Sequence, residues 1–148
     1  MPVATQVEFT RNGLEDAKAL TGRGKKFFNT WLLDLEREGC RAMGYRLTGA
    51  PPLDRLCVRH LNSNLRVVVS FDPEGTAWIL LVGPHDESSA VNVYGRLMEL
   101  ADITVVPAEE RTKPSCCSAR GLPPESEAVV QDLVDRCNET VRRRRRQA

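Results

Sequence analysis

Residues Leu65 to Tyr94, LRVVVSFDPEGTAWILLVGPHDESSAVNVY, carry the strongest structural signal of this chain. Two almost wholly apolar runs, LRVVVSF and AWILLVG, flank the turn-forming residues DPEG, and this arrangement predicts a β-hairpin. Because nearly every position of both runs is apolar, we expect both strands to be buried on both faces at the centre of a sheet. Arg66 is a charge inside the first run, and His85 follows the second run in a Gly-Pro-His-Asp corner. This end of the hairpin is where we look for chemistry.

The residues before the hairpin predict a strand and two helices. Residues 6–10 alternate as a short strand, and an amphipathic helix capped by Asn12 follows. A longer helix is predicted from about Lys25 to Glu38. Apolar side chains at helical spacing, among them Phe28 and Trp31, are expected to cover one face of the sheet.

A further strand is predicted from Asp54 to His60, after an irregular connection at residues 45–52. Its apolar positions alternate with Arg55 and Arg59, so one face is apolar and the other carries positive charge. Together with the hairpin, this strand gives an antiparallel meander with helices on one side. We expect the second, positively charged face to carry the function.

The C-terminal part predicts a helix, a linker and a second helix. Residues 87–100 carry a helical apolar stripe, and 103–106 are a short apolar run suited to a strand. Glu125 to Arg146 has an apolar stripe, acids in its first turn and arginines in its last, which suits a helix dipole. The predicted fold class is therefore α+β: a small, largely antiparallel sheet packed on an N-terminal helical hairpin, with a C-terminal helical extension. The predicted divisions are a domain at 1–103, a proline-rich linker at 104–124 and a basic helix at 125–148.

Composition describes an ordinary globular chain. Its 148 residues are 41% hydrophobic and 28% charged. No apolar run approaches the roughly 18 residues that a membrane span needs, and the N-terminus lacks the features of a signal peptide. We therefore predict a cytoplasmic protein with no membrane partner. The five cysteines include no CxxC pair, which favours free thiols in a reducing cytosol over a zinc site.

Three motifs resemble the RelE/ParE superfamily of bacterial type II toxins. LTGAPPLDRLCVRH, residues 47–60, resembles that family's approach to its second strand. LRVVVSF resembles its third strand, and Arg66 falls on the family's arginine. VGPHDESSAVNVY resembles the end of its fourth strand, where His85 takes a basic or histidine position and Tyr94 a tyrosine position. The likeness covers about residues 6–100, and the tail from residue 104 onward has no counterpart in the short members of the family.

The resemblance implies a toxin that cleaves messenger RNA on the ribosome and that a cognate antitoxin silences. The ribose 2′-hydroxyl would attack the adjacent phosphate and expel the 5′-oxygen, with no metal ion or cofactor. Arg66 would bind the scissile phosphate, His85 would act as acid or base, and Tyr94 would stack on a base or share in proton transfer. Arg55 and Arg59 are candidates for phosphate contacts. We expect Arg66, His85 and Arg59 to converge on the face opposite the helical hairpin, and Arg66→Ala to abolish cleavage with the fold intact.

Other functions stay open at this point. The more active RNases of the family carry lysines or a glutamate on the second strand, where this chain offers arginines and a cysteine, and arginine cannot act as a base. The alternative is a non-catalytic binding protein on the same scaffold, either a gyrase-poisoning ParE-like toxin or an inactive toxin homologue. The C-terminal helix is expected to fold back on the domain, to pair with a second copy as a homodimer, or to anchor RNA through Arg142, Arg143 and Arg144.

Overall fold

The apolar hairpin forms the centre of a five-stranded mixed sheet, in the strand order β1-β5-β4-β3-β2. The computed structural model describes residues 4–49, 51–85, 92–103 and 114–147, with side chains up to residue 138. The elements are β1 (Val7–Phe9), α1 (Arg11–Ala19), α2 (Gly22–Glu38), β2 (Tyr45–Arg46), β3 (Cys57–His60), β4 (Leu65–Phe71), β5 (Ala77–Pro84), α3 (Val93–Leu100) and α4 (Ala128–Gln147).

Strands β3 to β5 form the predicted antiparallel meander, β2 extends it as an unpredicted antiparallel edge strand, and β1 joins β5 in the parallel sense. The turn between β4 and β5 is stabilised by Asp72, whose Oδ1 accepts hydrogen bonds from the backbone N–H groups of Glu74 and Thr76. Gly75 adopts a φ of 85°, which other residues rarely tolerate. The predicted α+β class is therefore confirmed.

One face of the sheet packs on α2, as the sequence predicts. Phe28, Trp31 and Leu35 of α2 are buried against alternate residues of β4, among them Val67 and Val69. The indole Nε1 of Trp31 donates to the carbonyl of Ala42 at 3.1 Å, so the polar atom of this core residue is satisfied.

The second face of the sheet is not the open, positively charged surface that the sequence predicts. Helices α3 and α4 cover it, and they bury Leu97 and Leu133 against Val68 and Leu81. The expectation was wrong because it treated the C-terminal helix as an appendage of the domain. The apolar stripe of α4 is instead buried in the core of the same chain, through Val130, Leu133, Val134 and Cys137.

Several element boundaries differ from the prediction. Helix α1 is capped by Thr10 rather than Asn12, and the Thr10 hydroxyl accepts from Gly13 N–H and donates to the carbonyl of Leu80. Residues 45–52, predicted as irregular, contain the edge strand β2. A 3-10 helix at Leu53–Arg55 occupies the start of the predicted second strand, so β3 begins only at Cys57. Residues 87–91 of the predicted helix at 87–100 and residues 104–106 of the predicted strand at 103–106 lie outside the described residues.

Four of the five cysteines form disulfides, which link Cys40 to Cys117 and Cys57 to Cys116. The prediction of free thiols is wrong for these four, because the adjacent cysteines reach partners about 60 to 80 positions earlier in the chain, a proximity that only the fold creates. Cys137 is free and fully buried, and burial raises the pKa of its thiol to about 12. The described part of the predicted linker thus packs on the domain, and the domain boundaries stay a prediction.

Candidate functional site

The only two histidines and only two tyrosines of the chain meet at one end of the sheet. We call this group of Tyr45, His60, His85 and Tyr94 the tyrosine–histidine cluster. The antiparallel register brings its strands together, since His60 at the end of β3 lies opposite Arg66 at the start of β4. Arg66 in turn lies opposite Gly83, two residues before His85.

Hydrogen bonds link three members of the cluster in series. The hydroxyl oxygen of Tyr45 lies 3.1 Å from Nε2 of His60 and 3.0 Å from the hydroxyl oxygen of Tyr94. The rings of Tyr45 and His60 also meet edge to face, with centroids 5.3 Å apart. His85 joins through its ring, which meets Tyr94 edge to face at 4.8 Å. The four side chains therefore form one connected group.

Arg66 lies beneath the cluster and is only 7% exposed. Its guanidinium donates to the backbone carbonyls of Asn62 at 2.9 Å, Ser63 at 3.2 Å and Leu65 at 3.3 Å. Nε of Arg66 is buried without a hydrogen-bond partner among the described residues. Arg66 therefore holds the β3–β4 loop and places a buried positive charge under the site.

Tyr94 is held at the start of α3, where the side chain of Asn92 accepts a hydrogen bond from its backbone N–H at 2.9 Å. Burial and the hydrogen bond with Tyr45 raise the pKa of Tyr94 well above its ordinary value, and the guanidinium of Arg66 partly offsets this rise. The Tyr94 hydroxyl therefore keeps its proton at neutral pH.

His85 is exposed, and its backbone N–H donates to the carbonyl of Asn64 at 2.7 Å. This bond ties the end of β5 to the same loop that Arg66 holds. The backbone of His85 is therefore held by the loop, and its imidazole stands at the surface against the ring of Tyr94. Asp86, which follows His85 in the Gly-Pro-His-Asp corner, lies outside the described residues.

The other predicted arginines do not join the cluster in the expected way. Arg59 is exposed and lies opposite Val67 in the register, so it stands on the α2 side of the sheet rather than beside Arg66. It reaches the site only at the sheet edge, where it lines a depression of about 240 Å³ with Gly44, Tyr45 and His60.

Arg55 belongs to a link between β3 and the C-terminal helix. Its Nη2 lies 2.7 Å from the carboxylate of Glu127, just before α4. Arg142, Arg143 and Arg144 lie within the bounds of α4, and their side chains are outside the described residues. The RNA-binding role of all these arginines stays a prediction.

Sequence reasoning missed Tyr45 and His60. The available signal was the register, because His60 closes the predicted second strand and Arg66 opens the next one. An antiparallel pairing through a short loop sets two such residues side by side. Tyr45 gave no such signal, because its strand has only two residues and is followed closely by Gly49 and two prolines, which are typical of irregular structure.

Two general findings complete the description of the site. The described residues contain no group of three or more His, Cys, Asp or Glu side chains placed to hold a metal ion. Within the same residues, no helix has the length and apolar character that crossing a membrane requires.

Comparisons with known proteins find similarity among solved structures. No protein-family model matches the chain, and no curated protein matches it. Among solved structures, a chain of the toxin–antitoxin complex RelBE2 from Mycobacterium tuberculosis is similar, with 26% identity and a TM-score of 0.47 over 55% of this chain and 99% of that chain. Because the TM-score is below 0.5, the fold is described from the helices and strands given above and not from this similarity.

Proposed function

We propose that this chain is the toxin of a toxin–antitoxin pair and cleaves RNA by attack of a ribose 2′-hydroxyl on the adjacent phosphate. The observation that carries the proposal is the tyrosine–histidine cluster above the buried charge of Arg66. Histidine is the side chain whose ordinary pKa best suits acid–base chemistry near neutral pH, and the chain concentrates both of its histidines here.

The residues take distinct roles in this reaction. The exposed imidazole of His85 removes the proton of the 2′-hydroxyl, and the protonated hydroxyl of Tyr94 donates to the departing 5′-oxygen. Arg66 acts through its field and by holding the loop, because its Nη1 and Nη2 atoms already donate to backbone carbonyls and its Nε atom is buried. Arg59, exposed at the rim, contacts a neighbouring phosphate of the RNA.

This reaction requires no metal ion, since the cluster supplies a base and an acid, and Arg66 supplies fixed positive charge. Cleavage in a chelating buffer tests this part of the proposal. We expect products with a 2′,3′-cyclic phosphate and a 5′-hydroxyl, and no loss of rate when the chelator is added.

The biological setting is proposed from the sequence resemblance. We propose that the RNA is messenger RNA on the ribosome in the cytoplasm and that a cognate antitoxin binds the chain. Induction of the chain alone should arrest growth, and co-expression of an adjacent small reading frame should relieve the arrest.

The decisive experiment uses the full chain and an oligoribonucleotide, beside the same oligonucleotide with a single 2′-deoxyribose at the cleaved position. We expect cleavage of the first only, and a loss of roughly 10²-fold or more in rate for His85→Gln. Arg37→Gln is a control, because Arg37 is exposed on α2 and pairs with Asp34. Cleavage of the deoxy substrate, or full activity of His85→Gln, would contradict the proposal.

A second candidate function is non-catalytic binding, as in a gyrase-poisoning or inactive homologue. The observation that favours it is that Arg66 donates hydrogen bonds to three loop carbonyls. The scissile phosphate therefore has no direct arginine ligand from the core of the site. Growth arrest that persists in His85→Gln, with no RNA cleavage by the wild type, would select this function.

A further inference from the structure

We propose that His60 reprotonates Tyr94 through the hydroxyl of Tyr45, so that the two tyrosines act as a proton relay from the edge of the sheet to the departing oxygen. This inference rests on the proposed RNA cleavage and adds two residues to its mechanism. The toxin-like motifs assign no role to either residue: Tyr45 lies before the motif at 47–60, and His60 is its last residue.

The geometry of the relay is continuous. His60 Nε2, the Tyr45 hydroxyl and the Tyr94 hydroxyl follow one another at 3.1 Å and 3.0 Å, both within hydrogen-bonding distance. His60 is exposed at one end, where it exchanges protons with water, and Tyr94 is half-buried at the other. The relay therefore joins solvent to the hydroxyl of the half-buried Tyr94.

The chemistry of Tyr94 makes such a relay necessary. A buried tyrosine that gives its proton to a leaving oxygen becomes a tyrosinate, and the surroundings of Tyr94 disfavour that charged form. A proton that arrives from Tyr45 as the first one leaves prevents this charge from building up. A chain of hydrogen bonds that polarise one another suits this concerted transfer.

The protons balance as follows. His85 takes the proton of the 2′-hydroxyl, the 2′-oxygen forms a bond to phosphorus, and the bond from phosphorus to the 5′-oxygen breaks. Tyr94 gives its proton to the 5′-oxygen, Tyr45 gives its own to Tyr94, and protonated His60 gives one to Tyr45. The reaction ends with His85 protonated and His60 neutral, and exchange with water restores both.

The charged and titratable groups around His60 are compatible with this role. Tyr45 meets it from β2, Arg66 lies opposite it on β4, and Arg59 precedes it in the chain and lines the same depression. The two charged neighbours named here, Arg59 and Arg66, are cations, so the loss of a proton from His60 relieves its repulsion with them.

The test is the dependence of kcat on pH for the full chain acting on an oligoribonucleotide. The relay needs a proton on His60 and none on His85, so the wild type should show a bell-shaped profile, with kcat falling at low and at high pH. His60→Gln and Tyr45→Phe should each remove the alkaline limb and lower kcat by roughly 10²-fold. The double variant should lose no more than either single variant, since both break one relay. Arg37→Gln should keep both limbs.

A second measurement does not depend on cleavage. The ring nitrogen chemical shifts of the two histidines report their tautomers, and His60→Gln assigns the signals. Tyr45→Phe should change the shifts of His60 and leave the fold intact, whereas Arg37→Gln should leave the shifts unchanged. Wild-type cleavage with an unaltered profile in both variants overturns the relay alone, as do unchanged His60 shifts in Tyr45→Phe. Absence of wild-type cleavage overturns the proposed function.

Discussion

The hydroxyl oxygens of Tyr45 and Tyr94 lie 3.0 Å apart, although the residues are 49 positions apart in the chain. This hydrogen bond joins the edge strand β2 to helix α3 across the start of β4. Each of the two tyrosines also meets a histidine, so the bond unites the two halves of the cluster. The site therefore depends on how α3 is seated on the sheet.

Tyr94→Phe should reveal the raised pKa of Tyr94 as a dependence of stability on pH. The unfolded tyrosine loses its proton near pH ~10, whereas burial keeps the proton on the folded one. The folded state thus binds more protons above this pH, so its stability falls as pH rises. Tyr94→Phe lacks this contribution. The difference in free energy of unfolding between wild type and variant, measured with urea, should shrink between about pH 9 and 11. A difference independent of pH would contradict the burial of the hydroxyl.

Arg66→Ala should lower stability as well as any activity, an effect that the expectation from the sequence did not include. The substitution leaves three loop carbonyls without their charged donor, and we expect a loss of about 3 kcal/mol in the free energy of unfolding. Arg59→Ala, at an exposed arginine of the neighbouring strand, should change it by less than about 0.5 kcal/mol. Equal effects of the two substitutions in urea unfolding would show that Arg66 does not hold the loop.

Adjacent valines on α4 test whether this helix docks on the sheet. Val130 is 2% exposed and Val129 is 36% exposed. Val130→Ala should cost about 2 kcal/mol through lost burial and the cavity that remains, and Val129→Ala less than about 0.5 kcal/mol. Thermal and urea unfolding measure both. Two equally small effects would mean that α4 does not pack on the core in solution.

Two glycines test the close approach of α1 to β5. A Cβ at Gly13 would lie within 2.2 Å of the carbonyl oxygen of Ile79, whereas a Cβ at Gly95 would meet nothing within 4 Å. Gly13→Ala should therefore destabilise by at least about 2 kcal/mol, because backbone atoms must move. Gly95→Ala, in the interior of α3, should stabilise by about 0.5–1 kcal/mol. Similar unfolding midpoints for the two variants would contradict the contact.

The disulfides make a prediction about pairing and stability. Peptide mapping without reductant should recover Cys40 with Cys117 and Cys57 with Cys116, while Cys137 should react with a thiol reagent only after unfolding. Cys116→Ser should lower the free energy of unfolding by about 2–5 kcal/mol. Disulfides are rare in reducing cytosol, so thiol trapping in cell extracts also tests the predicted cytoplasmic location. Four reduced cysteines in the purified, air-exposed protein would contradict the pairing.

The helices and strands that could be predicted from the sequence are those marked by patterns of neighbouring residues. The turn residues at 72–75 and the apolar runs beside them settled the hairpin, because turn dihedrals and strand burial depend on neighbouring residues. The apolar stripes of α2 and α4 were readable for the same reason, since a stripe depends only on spacing along one helix. The class α+β and the face of β4 that meets α2 follow from these patterns.

Tertiary packing, and no local pattern, determines which helices cover the second face of the sheet and which residues meet at the site. The sequence predicted Arg66 on an exposed face of the sheet. In the structure α3 and α4 cover that face, and Arg66 is buried. The disulfide partners and the contact between Tyr45 and Tyr94 join residues 49 to 77 positions apart. No periodicity along the chain encodes such pairs, because their proximity results from strand order, register and helix docking together. The cluster that we propose as the active site is therefore a product of packing, while the framework that carries it is a product of local pattern.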